Sequence, residues 1–236
     1  MNGFELFGPA HIVWLIICAV SIAAVVAVSG KKDSRFQVRL SWILAIAAIA
    51  LHFLESGFRI LEGSYGIDTL PLHLCALTSY MVIIHRLHPN RVTGELLFCP
   101  GTAAALSALI APDWTGYAPF SVLSLAGFLS HLLIILYVLH AMRTGMITPS
   151  VRHWPIPVLY LAAYAAVMIP FDKYFHVNYG FLNGPSPGSV LVPMANLFGN
   201  GIGYYLGFAV LVLAGILASY GLLGLIRRFM ISPDAP

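Results

Sequence analysis

The chain has 236 residues, of which 59% are hydrophobic and only 9% charged, and its mean hydropathy is +0.88. A soluble domain carries roughly 45–50% apolar and roughly 25% charged residues, so water-soluble, disordered, collagenous and disulfide-scaffold proteins are excluded. The net charge of +3, from 12 basic against 9 acidic residues, is too small for a nucleic-acid partner.

A bilayer core about 30 Å thick needs roughly 20 apolar residues in a helix, and lipid offers open backbone groups no partners. Seven spans follow in chain order, at about 11–29, 40–58, 71–85, 92–111, 119–142, 154–171 and 203–226. The fold class is therefore all-α, one integral membrane domain over residues 1–236 built as a seven-helix bundle. The third span is short, covering about 22 Å at 1.5 Å per residue, and reads as recessed or extended by its flanks. The N-terminus shows no basic region and no small-residue cleavage site, so the first span reads as a retained anchor. Lys31, Lys32, Arg35, Arg39, Arg86, Arg91, Arg143, Arg152, Arg227 and Arg228 fall on one side, against Arg59 and Lys173 on the other. That asymmetry predicts an outer N-terminus and a cytoplasmic C-terminus. The outer connection 172–202 is long and rich in Gly, Pro and Asn, and reads as an ordered cap. Cys18, Cys75 and Cys99 all lie in apolar stretches, which argues against a disulfide framework.

Ionisable side chains within spans are costly and default to functional candidates. His11 opens the first span and reads as interfacial, its polar end in water. On the second span His52, Glu55 and Arg59 are three and four apart and share a face near the outer end. The third begins Pro71-Leu72-His73-Leu74-Cys75, also outer, and ends near interfacial His85 and His88. The fourth carries Glu95 near Arg91 on the inner side, offers a break at Pro100-Gly101, and is followed by Pro112-Asp113-Trp114. Ser124, Gly127 and His131 form one stripe on the fifth, with His131 near mid-membrane. The polar content is thus skewed to the outer half.

Three chemistries fit these residues. Cys75 as nucleophile with His131 as base suits acyl transfer. His73 is poorly placed for that role, because positions two apart on a helix point about 200° apart. His11, His52, Glu55, His73 and His131 are enough for an open zinc site, but no HExxH-type pairing is present and no metal is assigned. A polar outer pocket beside a broken helix would also suit solute binding or transport. There is no glycine-rich phosphate loop, and no cofactor is expected.

Read together, Phe7-Gly8-Pro9-Ala10-His11, Leu70-Pro71-Leu72-His73-Leu74-Cys75, Ala111-Pro112-Asp113, Ser130-His131 and Asn178-Tyr179-Gly180-Phe181-Leu182 followed by Pro185 form an ordered set. The set resembles the YwaF-like family of conserved seven-span integral membrane proteins. That family's animal relatives include a transmembrane acyltransferase that moves polyunsaturated acyl chains onto ether phospholipids. The resemblance implies a catalytic pair formed by a cysteine at the start of the third span and a histidine in the fifth, the positions of Cys75 and His131. The expectation is a multi-pass acyltransferase or transacylase of the cell membrane, with membrane phospholipids as its partners. Cys75 holds the acyl chain as a thioester, and His131 acts as base and then acid. His73, His52, Glu55 and Asp113 orient groups or bind the head group, while Asn178 and Asn183 position the ester or cap the site. The alternatives are a transporter or receptor-like binding protein with an outer polar pocket, and an intramembrane metal-dependent lipid hydrolase.

Overall fold

A computed structural model describes residues 3–186, 191–199 and 201–230, the last five of these by backbone alone. Pro187 and Gly188 of the outer connection, and the side chains of Arg227 and Arg228, lie outside the described residues. The chain is a multi-pass membrane protein, and its described residues form helices and no strand. These are α1 (Pro9–Val28), α2 (Ser34–Leu61), α3 (Leu74–Leu87), α4 (Arg91–Leu96), α5 (Thr102–Ile110), α6 (Val122–Arg143), α7 (Pro155–Phe175), α8 (Leu191–Phe198) and α9 (Ile202–Met230). Among them six helical stretches are long and apolar enough to cross a membrane, α4 and α5 counting as one 20-residue stretch. The 14-residue α3 is apolar but shorter.

The helices start where the sequence supplies caps. Asp33 Oδ1 accepts the Phe36 N–H at 2.7 Å to open α2, and Asn90 Oδ1 accepts the Thr93 N–H at 3.0 Å to open α4. The Pro100-Gly101 pair does not break its helix. Proline has no N–H to donate and its ring crowds the carbonyl four residues back, and a π turn over Leu97–Gly101 absorbs both problems. A Cβ on Gly101 would stand 2.9 Å from the Thr78 methyl, so this glycine lets α3 close on the turn.

α6 is the axis of the bundle and packs against α1, α2, α3 and α5. Its buried side includes Phe128, Ile134, Ile135 and Tyr137, and Trp14 of α1 stacks on Phe128 at 4.7 Å. α7 and α9 are not among the helices packed closely on α6, and α7 buries the smallest share of its apolar stretch, 11% against 61% for α6. Long-range bonds show which connections share an end. Arg143 Nε donates to the Ser29 carbonyl, and the Ser150 N–H donates to Glu95. This end carries the arginine- and lysine-rich connections and is called the basic end below. At the opposite, cap end, the Phe4 N–H donates to the Thr115 carbonyl and Tyr164 Oη to the Leu72 carbonyl.

The connection after the sixth predicted span is more structured than a loop. α7 runs on to Phe175, a short turn covers Tyr179–Phe181, and α8 follows at Leu191. Tyr179, Leu182 and Met168 form a small buried cluster of their own under this cap. His176 ends α7 in the left-handed region at φ 56°.

Candidate functional site

Cys75 is the second residue of α3, whose first-turn N–H groups have no side-chain cap from His73. The sulfur lies within hydrogen-bonding reach of the backbone at Cys75 and Ala76. Unsatisfied N–H groups at a helix start favour negative charge beside them. Of the three cysteines, Cys18 and Cys99 are buried in packing and Cys75 is the partly exposed one.

His131 sits on α6 nine residues after its first residue, about 14 Å along the helix at 1.5 Å per residue. Its Nδ1–H donates to the Gly127 carbonyl at 2.7 Å. A carbonyl only accepts, so the proton is on Nδ1 and the Nε2 lone pair is free to act as a base. The imidazole face is held by Trp114, stacked at 5.2 Å and 18°. Gly127 makes that stack possible, because a Cβ there would stand 2.7 Å from the indole. One glycine thus supplies both the carbonyl that sets the tautomer and the space for the ring that sets the plane.

Around these two residues the cap end gathers the other predicted groups. Asp113, Asp172, Glu55 and His131 all lie within electrostatic reach of His73. Asp113 and Glu55 also reach both Cys75 and His131. Tyr164 lies within reach of Cys75 and Asp172 at once. Glu55 and Arg59 form an ion pair at 2.9 Å on α2. His52 meets the edge of Tyr80 at 5.5 Å, and its Nε2 has no partner among the described residues. The His73 ring meets Tyr179 edge-on at 4.7 Å, and burial pushes the Tyr179 hydroxyl up to about 12, so it stays a donor, to the Ile67 carbonyl. Asn178 and Asn183 spend their amides inside the cap. Asn178 Nδ2 donates to the Gly184 carbonyl at 3.0 Å, its Oδ1 accepts the Asn183 N–H, and Asn183 Nδ2 donates to the Val177 carbonyl at 2.8 Å.

Two residues of this end were not among the predicted site groups. Trp114 is placed by the loop after α5, and its Nε1 is buried without a partner among the described residues. Asp172, in the last turn of α7, is fully buried, and among the described residues neither of its oxygens has a hydrogen-bond partner. An acidic residue in the closing turn of an apolar helix was the available hint.

The expected skew of polar groups toward one half is corrected by the basic end. Glu95 is 1% exposed, and Arg91 is not among its hydrogen-bond partners. It accepts from the Ser150 N–H at 2.9 Å, His153 Nδ1 at 2.8 Å and Tyr220 Oη at 2.7 Å. His85 is sealed against Tyr137 Oη at 2.8 Å instead of reaching water. His11 is likewise buried instead of interfacial. Its Nε2–H donates to the Leu109 carbonyl at 2.9 Å, and Nδ1 accepts the Phe7 N–H at 2.9 Å. It ties the N-terminal segment to α5. Among the described residues no three His, Cys, Asp or Glu side chains converge as metal ligands. A cleft of about 320 Å³ lies at the basic end beside Glu95 and His153, away from Cys75 and His131.

A family model described as the TMEM164 family matches residues 6–220. No curated protein and no solved structure matches the chain.

Proposed function

The chain belongs to the TMEM164 family of transmembrane proteins, and from that premise we propose that it is a membrane-lipid acyltransferase of the YwaF-like kind. Cys75 is its nucleophile and His131 its base. The observation that carries this reading is the tautomer of His131. The Gly127 carbonyl fixes the proton on Nδ1 at 2.7 Å, which leaves Nε2 as a proton acceptor in the same electrostatic cluster as Cys75. In the first step the Cys75 S–H proton passes to His131 Nε2. Sulfur then bonds to the carbonyl carbon of a phospholipid ester, the ester C–O bond breaks, and the departing alkoxide takes the proton from His131. In the second step a lysolipid hydroxyl gives its proton to Nε2 and bonds to the acyl carbon, the C–S bond breaks, and the thiolate takes the proton back. Water as acceptor gives hydrolysis by the same route. His73, His52, Glu55 and Asp113 face the head group, and the loop closed by Asn178 and Asn183 covers it. In the same reading α3 is the recessed seventh span, the basic end is cytoplasmic, the N-terminus is outside, and the cell membrane is where the protein works.

The test is acyl transfer in proteoliposomes of phosphatidylcholine and lysophosphatidylethanolamine, with a fluorescent chain on the phosphatidylcholine. Cys75→Ala and His131→Ala are each expected to lower transfer about 10³-fold or more, as loss of a catalytic nucleophile or base does. A thiol alkylator blocks the wild-type chain and a chelator does not. Full transfer by Cys75→Ala overturns the mechanism.

A further inference from the structure

Two buried polar groups on the face of α6 that carries His131 have no partner among the described residues. One is the Trp114 Nε1–H, which would stand 3.0 Å from a Cβ on Gly127. The other is the hydroxyl of Ser124, which is 0% exposed. Ser124 and His131 stand about one turn to either side of Gly127, so the indole lies against the stripe that joins them. Neither group is needed for packing. A phenyl ring would stack on His131, and alanine would fill the place of Ser124, without leaving a polar atom unmet. Gly127, a residue unfavourable in a helix interior, is what admits the indole. Indole N–H is a donor and never an acceptor, so what satisfies it brings an acceptor atom. Asp113, next to Trp114 in the chain, lies within electrostatic reach of both Cys75 and His131.

We propose that Trp114 Nε1–H and Ser124 Oγ–H are the donors that hold the ester carbonyl oxygen of the lipid while Cys75 attacks. This rests on the acyltransferase reading above. As the C–S bond forms, the carbonyl π pair moves onto that oxygen, and the two donors meet the new negative charge. When the C=O bond re-forms, the C–O bond to the lipid alcohol breaks. Donors set in place before the charge develops act in the transition state more than on the bound ester.

The experiment uses the full chain in the same proteoliposomes, with initial rates taken against the mole fraction of labelled phosphatidylcholine. Trp114→Phe keeps an aromatic ring on His131 and removes the N–H, and is expected to lower kcat about 100-fold with KM unchanged. Ser124→Ala is expected to lower kcat about tenfold, again without a change in KM. The alkylation rate of Cys75 reports an intact site and stays within about twofold of wild type. If Trp114→Phe disturbs alkylation, Ser124→Ala decides, since losing one hydroxyl leaves the packing in place. Wild-type kcat in Ser124→Ala then overturns the proposal, as does a loss confined to KM. If Cys75→Ala is inactive while Trp114→Phe and Ser124→Ala transfer at wild-type rates, the donors fall alone and their demand is met by a structural water. If Cys75→Ala transfers normally, the acyltransferase reading falls and the donors fall with it.

Discussion

Glu95 and Asp172 are both carboxylates sealed from solvent, at opposite ends of one bundle, and the fold treats them in opposite ways. Glu95 receives three donors, one each from Ser150, His153 and Tyr220. Asp172 receives no close one among the described residues, and Trp114, Ser124 and His52, also in the cap half, each leave a polar atom without a partner among them. A buried polar group without a partner costs roughly 1–3 kcal/mol, and a charge more, so a saturated carboxylate reads as structure and an unsaturated cluster as a place where something binds. The basic end has orphans too, on Gln37, His85 and Arg86, but each is one atom of a side chain whose other polar atoms are accounted for or solvated. The difference between the ends is therefore one of kind: among the described residues only the cap end leaves both oxygens of a carboxylate without a close hydrogen bond.

The comparison breaks or sharpens with a few substitutions. The largest effect is expected at Glu95→Ala, which strands three donors at once and should cost about 3–5 kcal/mol, read as a lower melting temperature in detergent. Next is Gly127→Ala, whose methyl would press within 2.7 Å of the Trp114 ring. It should cost about 1–3 kcal/mol and reduce lipid transfer together with it, because the same shift unstacks His131. Asp172→Asn should leave the melting temperature unchanged or raise it by the equivalent of about 1 kcal/mol, since the amide removes a buried charge whose oxygens have no close hydrogen bond among the described residues. Destabilisation at Asp172 as large as that at Glu95 would erase the contrast between the two ends. The smallest effect is expected at Asn183→Ala, which gives up one side-chain donor to the Val177 carbonyl and should cost about 1 kcal/mol. Limited proteolysis of the cap reads that change more sensitively than melting does.

Much of the bundle was legible because lipid imposes a simple rule on sequence. The apolar runs of α1, α2, α6, α7 and α9 announce themselves, and the stripe Ser124–Gly127–His131 follows from helical spacing alone. What the chain hides is contact at long range. Glu95 lies next to Arg91 in sequence, yet its partners come from 55 to 125 residues away, so its role as a structural hub had no local trace. His11 and His85 looked interfacial because they sit at span ends. The Phe7 N–H and the Leu109 carbonyl, and Tyr137 Oη, come to them only once the bundle is assembled. Nothing local marks Trp114, whose place on His131 depends on the missing side chain at Gly127, 13 positions later in the chain. α8 escaped detection because Pro193 and the surrounding turn residues pointed to loop.

The bond from Tyr220 to Glu95 joins α4 to the last helix, α9. A ribosome delivers those segments in order, so the carboxylate enters the lipid well before its phenolic partner has been made. Until α9 arrives, the growing chain carries an acid answered only in part, and an ionisable group inside the membrane is costly while its partners are incomplete. A product cut short of residue 220 should therefore accumulate less than the full chain, even though every group of the proposed chemistry would already have been synthesised.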